Sequence, residues 1–207
     1  MEERNQFQIV RKDARNCFVE SLSDAFAIGK AHFVFATYDT TKPVGKRQTN
    51  NISIYIAIDE FLNLHRRLVC GELAYLLRGM KNNSIEKKPL YQSLGGTSAE
   101  KLAAQNRSRN DGMSLSRTVQ LLCAEKADFL FVADSGPGVT NEKGLIVPKF
   151  GSKPENHVAV SMSFEALSEL LLMTQVHYGA WLTASYMRRA KNGAKQSQSQ
   201  EPPDDFF

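Results

Sequence analysis

The order strand, turn, strand, capped helix occurs twice in this chain of 207 residues, and a duplicated unit constrains a fold more than any single motif. In the first half, residues 32–39 (His-Phe-Val-Phe-Ala-Thr-Tyr-Asp) lead into a polar, basic stretch, then into residues 51–58 and a helix opening at Asp59. In the second half, residues 128–134 precede a loop containing Gly and Pro, then residues 157–162 and a helix opening at Ser163. Alternation identifies the strands. Ile52, Ile54, Ile56 and Ile58 point one way while Asn51, Ser53, Tyr55 and Ala57 point the other. Val158, Val160 and Met162 oppose His157, Ala159 and Ser161 in the same manner. Strands of this kind build an antiparallel sheet with one buried and one wetted face. Asp59 and Ser163 are each suited to accept a hydrogen bond from an otherwise orphaned helical N–H. Apolar stripes follow: Phe61, Leu64 and Leu68 in one helix, then Leu167, Leu170, Leu171 and Trp181 in a longer one reaching about Arg189.

Further strands are expected at residues 6–12, 118–124 and 144–150, with a short counterpart near 45–49. Each half then holds about four antiparallel strands followed by a helix, an α+β fold of two repeats. The expected organisation is a first repeat over 1–91, a linker over 92–113 with one short helix at 99–105, and a second repeat over 114–189. Residues 190–207 read as a disordered tail with an acidic tip, because a polar spacer without large apolar residues cannot offset its ordering entropy. Residues 13–30 interrupt the first repeat and receive no assignment. A single sheet-rich domain with a long surface excursion is the alternative organisation.

Bulk properties narrow the functional classes. Three widely spaced cysteines, Cys17, Cys70 and Cys123, form no Cys-x-x-Cys pair, which argues against a zinc site or disulfide scaffold and for a reducing cytoplasm. The N-terminus lacks the apolar core of a signal peptide, and the apolar run 170–187 contains Gln175 and His177, so a buried helix is expected there rather than a membrane span. Setting aside the carboxylates of Glu201, Asp204 and Asp205 raises the formal net charge from +4 to +7. A basic body suits polyanions, and equally suits plain solubility.

Enzymatic motifs are absent. Residues 133–138 (Ala-Asp-Ser-Gly-Pro-Gly) approach a nucleophile elbow, but Ala133 replaces its first glycine and Pro137 opposes the helix that should follow. Residues 94–97 (Leu-Gly-Gly-Thr) lack the lysine of a phosphate loop. The four histidines have no metal-ligand spacing. Asp39 and Asp134 end equivalent strands, where a turn-starting role outweighs a shared metal. No enzyme, cofactor or metal is expected.

The doubled pattern resembles the Whirly family and the related positive-cofactor-four coactivators. The likeness is carried by residues 153–167 (Lys-Pro-Glu-Asn-His-Val-Ala-Val-Ser-Met-Ser-Phe-Glu-Ala-Leu), with a looser copy at 45–54. It implies two sets of four strands plus a helix whose strand surfaces bind single-stranded DNA. The ending Glu-Pro-Pro-Asp-Asp-Phe-Phe is similar to the acidic, Phe-ending tail of bacterial single-stranded DNA-binding proteins. That likeness implies recruitment of replication or repair proteins through Asp204, Asp205, Phe206 and Phe207.

A sequence-tolerant single-strand binder needs aromatic platforms beside cations. The candidates in the first repeat are Tyr38, Lys42, Lys46, Arg47, Gln48, Asn50 and Tyr55; in the second they are Lys143, Lys149, Phe150 and Lys153. Phe33, Phe35, Phe129 and Phe131 read as core, and each loop lysine taken singly reads as merely solvated. The expected function is a non-enzymatic, cytoplasmic single-stranded DNA-binding protein of replication, recombination or mobile-element transfer. The alternative is a protein-interaction or assembly module whose sheet faces bury one another in a homo-oligomer, without nucleic acid or membrane.

Overall fold

The structure, a computed structural model, describes residues 6–198, with side chains through residue 192. Strands β1 (Gln8–Ala14), β2 (Cys17–Leu22), β3 (Lys30–Tyr38) and β4 (Gln48–Ala57) form an antiparallel meander in that spatial order. Helices α1 (Ile58–Val69) and α2 (Glu72–Lys81) follow. The second sheet contains β5 (Tyr91–Thr97), β6 (Ser114–Cys123), β7 (Phe129–Thr140), β8 (Ile146–Pro148) and β9 (Asn156–Met162). Its spatial order is β5-β6-β7-β8, and β9 pairs with the first part of β7 while β8 pairs with its end. Helix α3 (Ala99–Ala104) lies between β5 and β6, and α4 (Phe164–Gln198) closes the second unit. The fold is the mixed α+β arrangement of two antiparallel sheets that the alternation predicts.

Several boundaries differ from expectation, each for a physical reason. Residues 13–30 contain β2, whose residues are buried on both faces apart from the half-buried Glu20, so no alternation announces it. The supposed linker begins with β5, paired along its whole length with β6. The loop expected after Asp134 is instead strand, because β7 continues through Gly136, Pro137 and Gly138. Pro137 is tolerated there: its carbonyl accepts from Lys149 N–H at 3.0 Å. Its nitrogen therefore faces the same side, where β9 gives way to β8 and no ladder donor is needed. Residues 45–47 form a turn, and Gln48 and Thr49 belong to β4 rather than to a separate strand.

Asp59 does not cap α1. The helix opens at Ile58, whose N–H donates to Gly29 carbonyl at 3.1 Å, and Asp59 occupies the first turn where its charge favours the helix dipole. Ser163 does cap α4, accepting from Ala166 N–H at 3.1 Å. Asp128 reinforces that end by accepting from Phe164 N–H at 2.9 Å. Helix α4 runs beyond Arg189 to Gln198, through residues expected as tail; residues 199–207, and with them the acidic tip, lie outside the described residues.

Both halves contribute to one hydrophobic core. Phe33, Phe35, Phe129 and Phe131 are fully buried, as their alternation requires. They interdigitate across the sheets, with Phe35 and Phe131 edge to face at 4.9 Å. Burying such a ring contributes about 1.5–3 kcal/mol, so this contact binds the repeats into one unit. Helix α4 lies against β1 and β2. There Thr174 hydroxyl donates to Leu170 carbonyl and pairs with Ser21 hydroxyl at 2.8 Å, leaving no polar group unmatched in that contact.

Candidate nucleic-acid interface

The residues expected to bind nucleic acid fall on separate elements. Tyr38 is half-buried near Phe18, and its hydroxyl donates to Ala14 carbonyl at 3.4 Å, so it packs the end of the sheet. Lys42, Lys46 and Arg47 occupy the exposed β3–β4 turn, with Gln48 and Asn50 at the start of β4. Asp39 opens that turn by accepting from both the N–H and hydroxyl of Thr41. Arg47 is partly committed to the turn itself, donating to Lys42 carbonyl at 3.1 Å. Lys143 lies in the β7–β8 turn, while Lys149, the fully exposed Phe150 and Lys153 lie at the end of β8 and in the β8–β9 connection. The two lysine groups therefore sit on different hairpins, one set in each sheet. Tyr55 stands apart from its own hairpin, seven residues along β4, about 23 Å at strand rise.

Tyr55 belongs instead to a cleft of about 1100 Å³. Strand β4 is the outer strand of the first sheet and β5 that of the second, and both line this space. Helix α3, β6 and the β7–β8 turn complete it. Four cationic residues, Lys30, Lys101, Arg107 and Arg117, line it against Glu60 and Glu100. The β7–β8 turn reaches the cleft because Ile146 lies over bare backbone. Cβ atoms at Gly96 and Gly138 would stand 2.8 and 2.9 Å from its Cγ2, contacts only glycine permits. Gly144 and Leu145 of that turn line the cleft, and Lys143 precedes them in sequence without lining it. The loop bearing Arg107 is anchored two residues later, where Arg109 bonds both Asp111 and Glu155.

Arg117 is the unusual member. It is half-buried and shares a face of β6 with half-buried Leu115 and with Val119 and Leu121, which are fully buried further along, so part of the cation is withdrawn from water at a cost. Its Nη1 donates to Thr97 Oγ1 at 2.9 Å, and no carboxylate pairs with it among the described residues. Burial lowers its pKa from the ordinary guanidinium range, and the nearby Arg107 lowers it further. A guanidinium remains charged at neutral pH, so the cleft holds a positive charge that no carboxylate among the described residues pairs with.

Tyr55 faces this charge. Its pKa is raised first by burial and then by Asp24, while Arg117 and Arg107 pull it down, which places its hydroxyl within electrostatic reach of both arginines. Its ring stacks on His32 at 4.2 Å and 17°, and His32 Nδ1 bonds Asp24 at 2.8 Å. The ring is held as a preformed platform. Beside Arg117, on β5, the wall at Gly95 is bare backbone with open space where a Cβ would stand. The arrangement joins an unpaired cation, a supported aromatic ring and unobstructed backbone, all suited to a phosphate and an unstacked base.

Of the expected residues, the cleft includes Tyr55, and Lys143 stands next in sequence to its lining residue Gly144. Lys30, Thr97, Lys101, Arg107 and Arg117 were not anticipated. The sequence carries a signal for Arg117, a cation between Leu115 and Val119 in the alternation, but the expected strand 118–124 starts one residue after it, whereas β6 starts at Ser114. Among the described residues, no group of three or more His, Cys, Asp or Glu side chains could hold a metal, and no helix is long and apolar enough to cross a membrane. No family model matches the chain, and no curated protein or solved structure matches it significantly.

Proposed function

We propose that the protein binds single-stranded DNA, without catalysis and in the cytoplasm, along the cleft between β4 and β5. The observation that carries this reading is Arg117, a partly buried guanidinium with no carboxylate partner among the described residues, in a cleft of cationic excess. A fold that retains such a charge gains from it when an anion arrives. Tyr55, backed by His32, offers a stacking face to a base that no complementary strand occupies. The β3–β4 turn, with Lys42, Lys46 and Arg47, lies at the far end of β4 from Tyr55 and is a separate basic surface that a longer strand would reach. The acidic segment 201–207 would recruit replication or repair proteins; deleting it is expected to leave strand affinity unchanged or higher.

Fluorescence anisotropy with labelled oligo-dT over a salt series tests the proposal. With four phosphates neutralised, log K should fall against log salt with a slope of about −3. Tyr55→Ala should weaken binding by about 1–3 kcal/mol without a matching loss of melting temperature. Absence of binding at low salt, or the parent's affinity retained in both Tyr55→Ala and Arg117→Ala, would overturn it.

A further inference from the structure

The solvent side of α4 carries a second pattern that neither core nor cleft uses. Met173, Val176, Ala180, Thr183 and Met187 follow the three-four spacing of a coiled-coil seam over two heptads, and all are exposed. Leu172 and Tyr186 flank the seam, so its large side chains range from 37 to 62% exposed. The opposite side of the helix, with Leu167, Leu170, Leu171 and Thr174, is the buried one. Packing the core needs only that one side. A second apolar stripe at coiled-coil rather than random spacing is a surface built for another helix.

We propose that this surface pairs with the same surface of a second copy, forming an antiparallel two-fold helix pair centred near Ala180. Charge selects both partner and direction. Glu169, which also meets Lys12 of β1, stands at the N-terminal end of the stripe, and Lys191 stands at its C-terminal end, the two placed symmetrically about Ala180. Antiparallel copies set the acid of each helix beside the base of the other, whereas parallel copies set like beside like. The helix dipoles add to the same preference. Small side chains at the middle, Gly179, Ala180 and Ala184, let the two backbones approach where the helices cross. A two-fold contact brings the same patch of both subunits together, as this self-complementary charge pattern requires.

Sedimentation equilibrium on the full chain tests this across a concentration series. The mass should rise from 23.1 kDa towards twice that value as concentration increases. Ala180→Glu puts like charges at the axis and should raise the dissociation midpoint at least tenfold, with an unchanged helical spectrum. Direction is tested in a Cys70→Ser background, because Cys70 is exposed. Ala180→Cys should give a disulfide-linked dimer under mild oxidation, since a residue at the axis meets its own copy, and Met173→Cys should not. A monomer at every concentration would overturn the proposal, as would a dimer indifferent to Ala180→Glu. Equal crosslinking of both cysteine variants would overturn the antiparallel arrangement. A monomer that floats with lipid vesicles would assign the stripe to a membrane surface instead.

Discussion

At the scale of single residues, Arg117 decides most. Taking a guanidinium out of water without a carboxylate costs stability, and the single bond to Thr97 recovers only part of it. Replacing it by methionine keeps the stem and removes the charge. Arg117→Met should therefore hold or raise the melting temperature while weakening oligo-dT binding by roughly tenfold or more, the scale of a charge-assisted hydrogen bond. A lower melting temperature with unchanged affinity would show a structural arginine. Tyr55 was legible in advance because strand alternation places it on the wetted face. Tyr38 was not, because its contacts with Ala14 and Phe18 join segments far apart in sequence. Alternation shows which way a side chain points; whether a neighbouring strand covers it is decided by pairing.

At the scale of elements, the two neighbouring glycines of β5 separate folding from binding. A Cβ at Gly96 would stand 2.2 Å from Leu115 carbonyl oxygen, and backbone there cannot yield without loosening β5 from β6. A Cβ at Gly95 meets nothing within 4 Å and points into the cleft. Gly96→Ala should lower the melting temperature markedly, whereas Gly95→Ala should fold normally and bind oligo-dT more weakly. Equal melting curves for the two would contradict this geometry. The same glycines explain why β5 was concealed: Gly-Gly reads as loop punctuation until Ile146 is seen packed across it. By contrast β4 and β9 were plain, since their inward faces are continuous rows of Ile, Val and Met.

The start of α4 has its own titration. Asp128 accepts from Phe164 N–H and pairs with Lys81 at 2.8 Å, and the Lys81 bond, then that of Phe164, lowers its pKa. A carboxylate with a depressed folded pKa contributes its stability above the unfolded value, about 3.9, and loses it as pH falls through the folded value. Asp128→Asn keeps an acceptor for Phe164 N–H but removes the charge that pairs with Lys81, and should cost about 0.2–1 kcal/mol at neutral pH, the usual scale for a solvent-exposed ion pair. The difference from the parent should shrink in thermal melts taken below about pH 4. A gap that stays constant to pH 3 would mean the carboxylate's charge contributes nothing there.

For the whole molecule, each half supplies an antiparallel sheet followed by helix, four strands in the first and five in the second, yet the halves are not independent bodies. Phe33 and Phe35 from the first sheet meet Phe131 from the second, and α1, α2 and α4 join the same continuous core. The sequence suggests a linker over 92–113 because composition turns polar there. Polarity reports exposure of a connection, though, not separation of the cores on either side. Either half alone would leave one face of phenylalanines in water, a loss of about 1.5–3 kcal/mol per ring against a typical net stability of 5–15 kcal/mol. Residues 1–91 or 92–207 expressed alone should therefore show no cooperative unfolding. The full chain should unfold in one transition, with far-ultraviolet and aromatic circular dichroism coincident in denaturant. Two separated transitions, each reproduced by one half on its own, would restore the two-domain reading and remove the shared core on which the geometry of the cleft depends.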